Sequence, residues 1–462
     1  MGSAVEALKK ACQEAAEESV SVAKGAKDGR RVVGGNRKYG SRKEARVAKI
    51  AAAKARRAAK EEEEKQKALE EERQESGPDE LSMYKGAQKL FRDLKVKIAR
   101  APKAKVLAFL VFIVACCCWF LGSGLVKSPG SERRKKMRPR ARFVEAPDEA
   151  FVHHFPSHGL TIKSAYASRR GYYPNNARWK NQDSYCLIHN YCGQEERVLM
   201  GVFDGHGSSG AGCSQFAGRE ISSRLERHLL DGQDVGTAHS KAFVSANSAL
   251  HRNKTVDDSL SGTTAITVLL DGVDLTVANV GDSRAILGQR GQDGKVVSKK
   301  LSVDQTPFRK DELDRVRMAG GRVQTSAQVE GLVDLEEDVW STAEGAEESH
   351  TGDTPRVWLT NINIPGLAMT RSVGDFAVEK VGVYAEPEII SRKLDFNCKA
   401  IIVASDGVFE FLSSQTVVDM ALAHADPLEG AYAIVKESKR QWLRHDVRSD
   451  DITVVIALLE WQ

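Results

Sequence analysis

Two patterns of apolar and polar positions alternate along the C-terminal two thirds of the chain. RVLMGVFD (197–204), TTAITVLL (263–270), DLTVANV (274–280), RAILG (284–288), KAIIVAS (399–405) and DITVVIALL (451–459) are short runs rich in β-branched residues. They are predicted strands, because such side chains suit a pleated, buried surface. In SQFAGREISSRLERHLL (214–230), KAFVSANSALHR (241–252), RKDELDRVRMAG (309–320) and EGAYAIVKESKRQWLR (429–444) the apolar positions recur every three or four residues, which predicts helices. The second, third and fourth strands are separated only by DGV and GDS. Connections that short are predicted to make antiparallel hairpins and exclude parallel crossovers. The fold class read from these patterns is α+β, an antiparallel sheet with covering helices.

The first 150 residues have a different texture. Residues 41–75 are rich in Ala, Lys, Arg and Glu without Gly or Pro, which predicts a solvated helical or disordered arm because so few large apolar residues cannot hold a core. VLAFLVFIVACCCWFLGSGLV, residues 106–126, is 21 residues without a charge. At about 1.5 Å per residue it reaches across about 30 Å of hydrocarbon and is read as one transmembrane helix. The domains are therefore a charged basic arm (1–105), the transmembrane helix (106–126), a basic linker (127–150) and a globular domain (151–462).

Charge adds an orientation. Residues 1–105 carry 27 Lys/Arg against 17 Asp/Glu, residues 106–142 carry 8 against 1, and the rest carry 33 against 45. Basic flanks on both sides of the apolar run suit contact with anionic lipid, and eight Lys/Arg in residues 127–142 against six in 90–105 place the globular domain on the cytosolic side of a single-pass membrane protein. No nucleic-acid partner is expected, and the globular domain reads as monomeric. Gly2 is present but Glu6 stands where a myristoylation signal needs Ser or Thr, so that modification is not expected. The eight cysteines show no paired ligand spacing, which argues against zinc and against a disulfide framework. His153, His154 and His158 lie close together but are not read as metal ligands.

Acids recur at strand ends. VFDGH closes one strand at Asp204, IIVASDGVFE another at Asp406, and RSDDITVV opens a third at Asp450 and Asp451. Each Asp-Gly alone reads as a turn. Several carboxylates meeting at one sheet edge would repel one another unless a cation lay between them, and oxygen ligands of this kind suit Mg2+ or Mn2+ better than zinc.

With RWKNQD (178–183), VFDGHG (202–207), SGTTA (261–265), ANVGDSRA (278–285), AGGRV (319–323), PGLAMTRSVGD (365–375), EPEI (386–389), ASDGVFE (404–410) and SDDITV (449–454) in this order, the chain resembles the metal-dependent serine/threonine protein phosphatases of the 2C type, in a form similar to the plant and protist branches. The resemblance implies two antiparallel β-sheets sandwiched between layers of helices, with two Mn2+ or Mg2+ ions at one edge and a third, weaker one. It implies that Asp204 bridges the two ions, that the Gly205 carbonyl joins one of them, and that Asp406 and Asp450 complete the other. Asp183 would hold a metal-bound water, and Asp282 would share the third ion with Asp406. His206 would be the general acid and Arg178 the phosphate clamp, acting on phosphoserine and phosphothreonine in proteins. Gln182 departs from the family, where Glu is common, and GYYPNNA before Arg178 is longer than in animal relatives. An acidic expansion at 329–354 lies where relatives differ in substrate choice. The alternative function, a catalytically inactive scaffold or binding module, is disfavoured because every metal acid is present.

Overall fold

The computed structural model describes residues 144–174, 176, 179–331 and 353–462. The arm, the apolar run 106–126, most of the linker, Arg178 and residues 332–352 of the acidic expansion lie outside the described residues. Among the described residues no helix is long and apolar enough to cross a membrane.

Twelve strands build two antiparallel sheets: β1 (Val144–Glu145), β2 (Phe151–Phe155), β3 (Leu160–Arg169), β4 (Ser184–His189), β5 (Arg197–Phe203), β6 (Ala265–Asp271), β7 (Asp274–Val280), β8 (Arg284–Arg290), β9 (Val296–Lys300), β10 (Glu388–Lys393), β11 (Cys398–Ala404) and β12 (Ile452–Trp461). The seven-stranded sheet has the order β1-β3-β12-β11-β8-β9, with β2 pairing on β3 as well. The five-stranded sheet has the order β10-β7-β6-β5-β4. Five longer helices accompany them: α1 (Gly210–Leu230), α2 (Val235–His251), α3 (Lys310–Met318), α4 (Ser414–Leu422) and α5 (Pro427–His445).

The period of two within each strand explains the layers. Along β11, Ile401 and Val403 enter the core between the sheets beside Val198, Met200 and Val268, while Ala400, Ile402 and Ala404 face outward. The outward set packs under Val417, Val418, Ile434 and Val435 of α4 and α5. Ala265, Ala278 and Val280 likewise lie under Ile221 of α1 and Phe243 of α2. Both faces of these strands are buried, which is why they read as unbroken apolar runs and not as alternation.

Helix ends follow the local chemistry. Asp234 caps α2 by accepting from Thr237 N at 2.9 Å, and Asp426 caps α5, with Pro427 at its first position. The four predicted helices occur; the first ends at Leu230 as predicted but starts four residues earlier, and the other three differ from the sequence reading at both ends. The helix α4 and the strands β1 to β4, β9 and β10 were not predicted; the solvent-facing pattern of β10, four exposed residues out of six, carries no apolar run.

One expectation needs correction. β6 and β7 do form an antiparallel hairpin, Ala265 opposite Val280, but β7 and β8 do not pair. The GDS connection carries the chain from one sheet to the other. Gly281 permits it by taking φ +100, and an added Cβ there would lie 2.7 Å from Thr264 Cγ2. A short loop excludes a parallel crossover; it does not force the two strands into one sheet.

Candidate active site

The acids at the strand ends come from both sheets. Asp204 follows β5, Asp183 precedes β4, Asp406 follows β11 after Ser405, Asp450 and Asp451 precede β12, and Asp282 sits on the crossing between the sheets. The structure brings Asp183, Asp282, Asp406 and Asp450 into electrostatic range of Asp204, and Asp451 into range of Asp183 and Asp450. The carboxyl of Asp204 is pushed well above the usual range by burial and then by repulsion from Asp183, Asp406, Asp450 and Asp282. Burial, followed by Asp282 and Asp450, does the same to Asp406. Asp183 is pushed up to about 8 by burial and Asp451, and Asp282 to about 7 by burial and Asp304. Packing like charges into a dry edge is costly, so the arrangement calls for a cation.

The donor atoms fit one. Asp183 Oδ2 accepts from Ser405 Oγ at 2.9 Å, and its Oδ1 is buried without a partner. Asp282 Oδ1 is likewise buried without a partner. At Gly205 a Cβ would meet Gln182 O at 2.5 Å and the carbonyl of Gly210, so only glycine lets the backbone lie there. Thr264 steadies the group: its Oγ1 accepts from Asp204 N at 2.9 Å and contacts Ser283 Oγ at 2.7 Å, beside Asp282. An all-oxygen set of this kind suits Mn2+ or Mg2+.

His206 has a partner that the sequence reading missed. Its Nε2 lies 2.5 Å from Oδ2 of the buried Asp375, which also accepts from Ser372 Oγ at 2.6 Å. Burial alone would lower the imidazole pKa; the Asp375 carboxylate outweighs it, and the pKa is raised. Nδ1 of His206 is buried without a partner. The backbone is shaped for this pair. Asp375 itself takes a left-handed conformation at φ 50, and a Cβ on Gly262 would collide with its carboxylate. The signal was the Asp of RSVGD, 169 residues from His206, and no local pattern joins the two. Glu410, one helical turn after Asp406, was missed as well; it repels both Asp406 and Asp282.

Gln182 is bound into the site margin. Its Nε2 donates to Gly207 O at 2.7 Å, its backbone N donates to Asp451 Oδ2 at 2.7 Å, and its carbonyl accepts from Ser214 Oγ at 2.6 Å. The amide therefore ties the loop before β4 to the glycine turn after Asp204. Arg178 lies outside the described residues. The three histidines near the domain start go to separate partners, His153 to Glu195 O, His154 to Thr161 and His158 to Glu196.

A second acidic cluster, Asp311, Glu312 and Glu388, is answered by arginines. Arg371 reaches Glu312 at 2.7 Å and Glu388 at 3.3 Å, and Arg309 reaches Glu388 at 2.8 Å and Asp311 at 2.6 Å. Burial opposes the charge on Glu312, but Arg371 outweighs it and the pKa falls. The network fixes α3 to β10 and to the strand end that carries Asp375.

The comparisons with known proteins point to one family. The family model described as Protein phosphatase 2C matches residues 173–446. The chain is 45% identical over 307 residues to a probable protein phosphatase 2C 35 from Arabidopsis thaliana, covering 66% of this chain and 86% of that one. It is 32% identical over 347 residues to a probable protein phosphatase 2C 64 from Oryza sativa subsp. japonica, covering 73% and 76%. A crystal structure of a serine-threonine phosphatase 2C from Toxoplasma gondii shares the fold, with a TM-score of 0.52 at 16% identity, covering 68% of this chain and 99% of that one. Two sheets that close on a ring of carboxylates, a motif order that spans the domain and relatives of this identity lead to one conclusion: the chain belongs to the protein phosphatase 2C family and is a metal-dependent protein phosphatase.

Proposed function

We propose that the protein hydrolyses phosphoserine and phosphothreonine esters in proteins at a dinuclear Mn2+ or Mg2+ centre, from a membrane to which residues 106–126 anchor it. The observation that carries the reading is the convergence of Asp204, Asp183, Asp282, Asp406 and Asp450 at one edge, where burial and mutual repulsion raise the carboxyl pKa values of Asp204, Asp183, Asp282 and Asp406 and two buried oxygens have no partner. Asp204, the Gly205 carbonyl, Asp406 and Asp450 would hold the two ions, with Asp183 behind a bound water and Asp282 beside a third, weaker ion. Two ions in such a cradle supply a nucleophile at neutral pH and offset charge on the phosphoryl oxygens.

The chain's own residues do the rest. Asp375 holds the His206 ring through Nε2, which leaves Nδ1 to give its proton to the departing serine or threonine oxygen. Arg178 grips two phosphate oxygens through its guanidinium fork. Gly205 and Gly207 let the backbone pass close to its neighbours, since a Cβ would collide with the Gln182 and Gly210 carbonyls at the first and with Leu260 O at the second. The acidic stretch 329–354 favours basic phosphopeptides. The 21-residue uncharged run with basic flanks supports the anchor, and the greater number of Lys/Arg in the flank after it, eight in 127–142 against six in 90–105, supports a cytosolic catalytic domain.

Phosphate release by the full-length chain from phosphoserine, phosphothreonine and phosphotyrosine peptides tests the reading. Release from the first two is expected with Mn2+ or Mg2+ and none with chelator. Asp406→Asn should lose bound metal and drop kcat by about a hundredfold or more, if metal activation supplies several kcal/mol. Arg178→Ala should keep metal and lose mainly in KM. Full turnover in metal-free protein would overturn the dinuclear centre.

A further inference from the structure

The loop between β3 and β4 carries the extended GYYPNNA stretch, and it is laced onto the chain just before β12. Tyr172 N donates to Ser449 O at 3.0 Å, and Ser449 N donates back to Tyr172 O at 2.9 Å. Asp451 receives both ends of the loop, Gly171 N on Oδ1 at 2.5 Å and Gln182 N on Oδ2 at 2.7 Å. Gly171 makes the approach possible, because a Cβ there would lie 2.7 Å from Ser449 O and 2.9 Å from Asp451 N. This lacing sets Tyr173 over Asp450. The Tyr173 hydroxyl donates to Asp450 Oδ1 at 2.8 Å, and Asp451 N donates to the same oxygen at 2.9 Å. Both donors therefore fall on Oδ1, and Oδ2 is left for a cation. The Tyr173 ring packs on Trp179 with centroids 4.5 Å apart, and two turns, Asn176 N to Tyr173 O and Trp179 N to Asn176 O, join them.

We infer that Tyr173 is a positioning residue for Asp450: its hydroxyl fixes which carboxylate oxygen faces the ion, and so sets the metal affinity of the site. The inference rests on the metal-centre reading above. A partner outside the ligand set restricts the ligand's rotation, and losing such a partner typically costs ten- to a hundredfold in metal affinity.

The test is calorimetric titration of Mn2+ into the full-length chain, metal-free at the start, for wild type, Tyr173→Phe, Asp450→Asn and the double variant, with melting temperatures measured in chelator. Wild type should bind Mn2+, and Tyr173→Phe should bind one ion about tenfold or more weakly while melting like wild type in chelator. The double variant should bind no more weakly than Asp450→Asn, because the hydroxyl acts through that carboxylate. An unchanged Mn2+ affinity in Tyr173→Phe overturns the inference and leaves the metal centre standing. A Tyr173→Phe loss that persists in full on top of Asp450→Asn also overturns it, since the hydroxyl would then act elsewhere. A wild-type chain that binds no Mn2+ overturns the metal centre itself, and the inference falls with it.

Discussion

Asp375→Asn keeps the size of a side chain that holds an imidazole through one oxygen and a serine hydroxyl at the same time, and it removes only the charge. A general acid matters most when the leaving group is a poor one. The variant should therefore lose about a hundredfold in kcat on a phosphothreonine peptide, the low end of what a positioned acid contributes, and keep most of its rate on p-nitrophenyl phosphate, whose leaving group needs no proton. His206→Gln should show the same selectivity, and the double variant should be no worse than either. Equal losses on both substrates would show Asp375 to be a structural residue only. Gly262→Ala tests the same pair by shape, since its Cβ would collide with the Asp375 carboxylate; it should copy the selective loss.

At the scale of elements, the charged network of α3 centres on one buried carboxylate. Glu312, 1% exposed, accepts from Arg371, Arg315 and the Thr370 hydroxyl. Removing one member of a buried pair strands the others, so Glu312→Gln should destabilise this segment by about 3–5 kcal/mol, read from denaturant unfolding and from faster hydrogen exchange along α3. The carboxyl pKa of Glu312 and that of Glu388 are depressed in the fold, by Arg371 for the first and by Arg309 for the second, each against the cost of burial. A depressed acid contributes stability that is complete above its unfolded pKa, about 4.3, and that is lost as pH falls through the folded value. Wild type should therefore lose stability below about pH 4 more steeply than Glu312→Gln, and parallel acid profiles would contradict the assignment. The strands show where such elements become legible: β11 and β12 are buried on both faces and read as apolar runs, whereas β10 lies half in solvent and did not.

For the whole molecule, metal and membrane give separate readouts. Ions that bind only the folded state raise its stability, by about 2.7 kcal/mol at a hundred times the dissociation constant. Mn2+ at that excess should raise the melting temperature, and chelator should reverse the rise; a melting temperature indifferent to Mn2+ would remove the cation from the acidic edge. If residues 106–126 span a bilayer, the full chain should resist carbonate extraction while a chain starting at residue 127 dissolves. Release of the full chain by carbonate would assign that run to another role.

By itself the sequence determined the α+β class, most of the buried strands, four helices and the acids at strand ends, because each of these is a local pattern of periodicity, turn chemistry or residue type. The family motifs added the expected roles of Asp204, Asp406, Asp450, Asp183 and Asp282, and the structure gathers these five at one edge. Tertiary structure alone decided that GDS crosses between the sheets, because the pairing of a strand depends on which neighbour can bury its two faces and not on the length of the loop before it. It alone decided that Asp375 meets His206 across 169 residues and that Tyr173 meets Asp450 across 277. Such contacts are set when sheets pack and loops lock against one another, and a single charged or hydroxyl side chain carries no periodicity that could announce its partner.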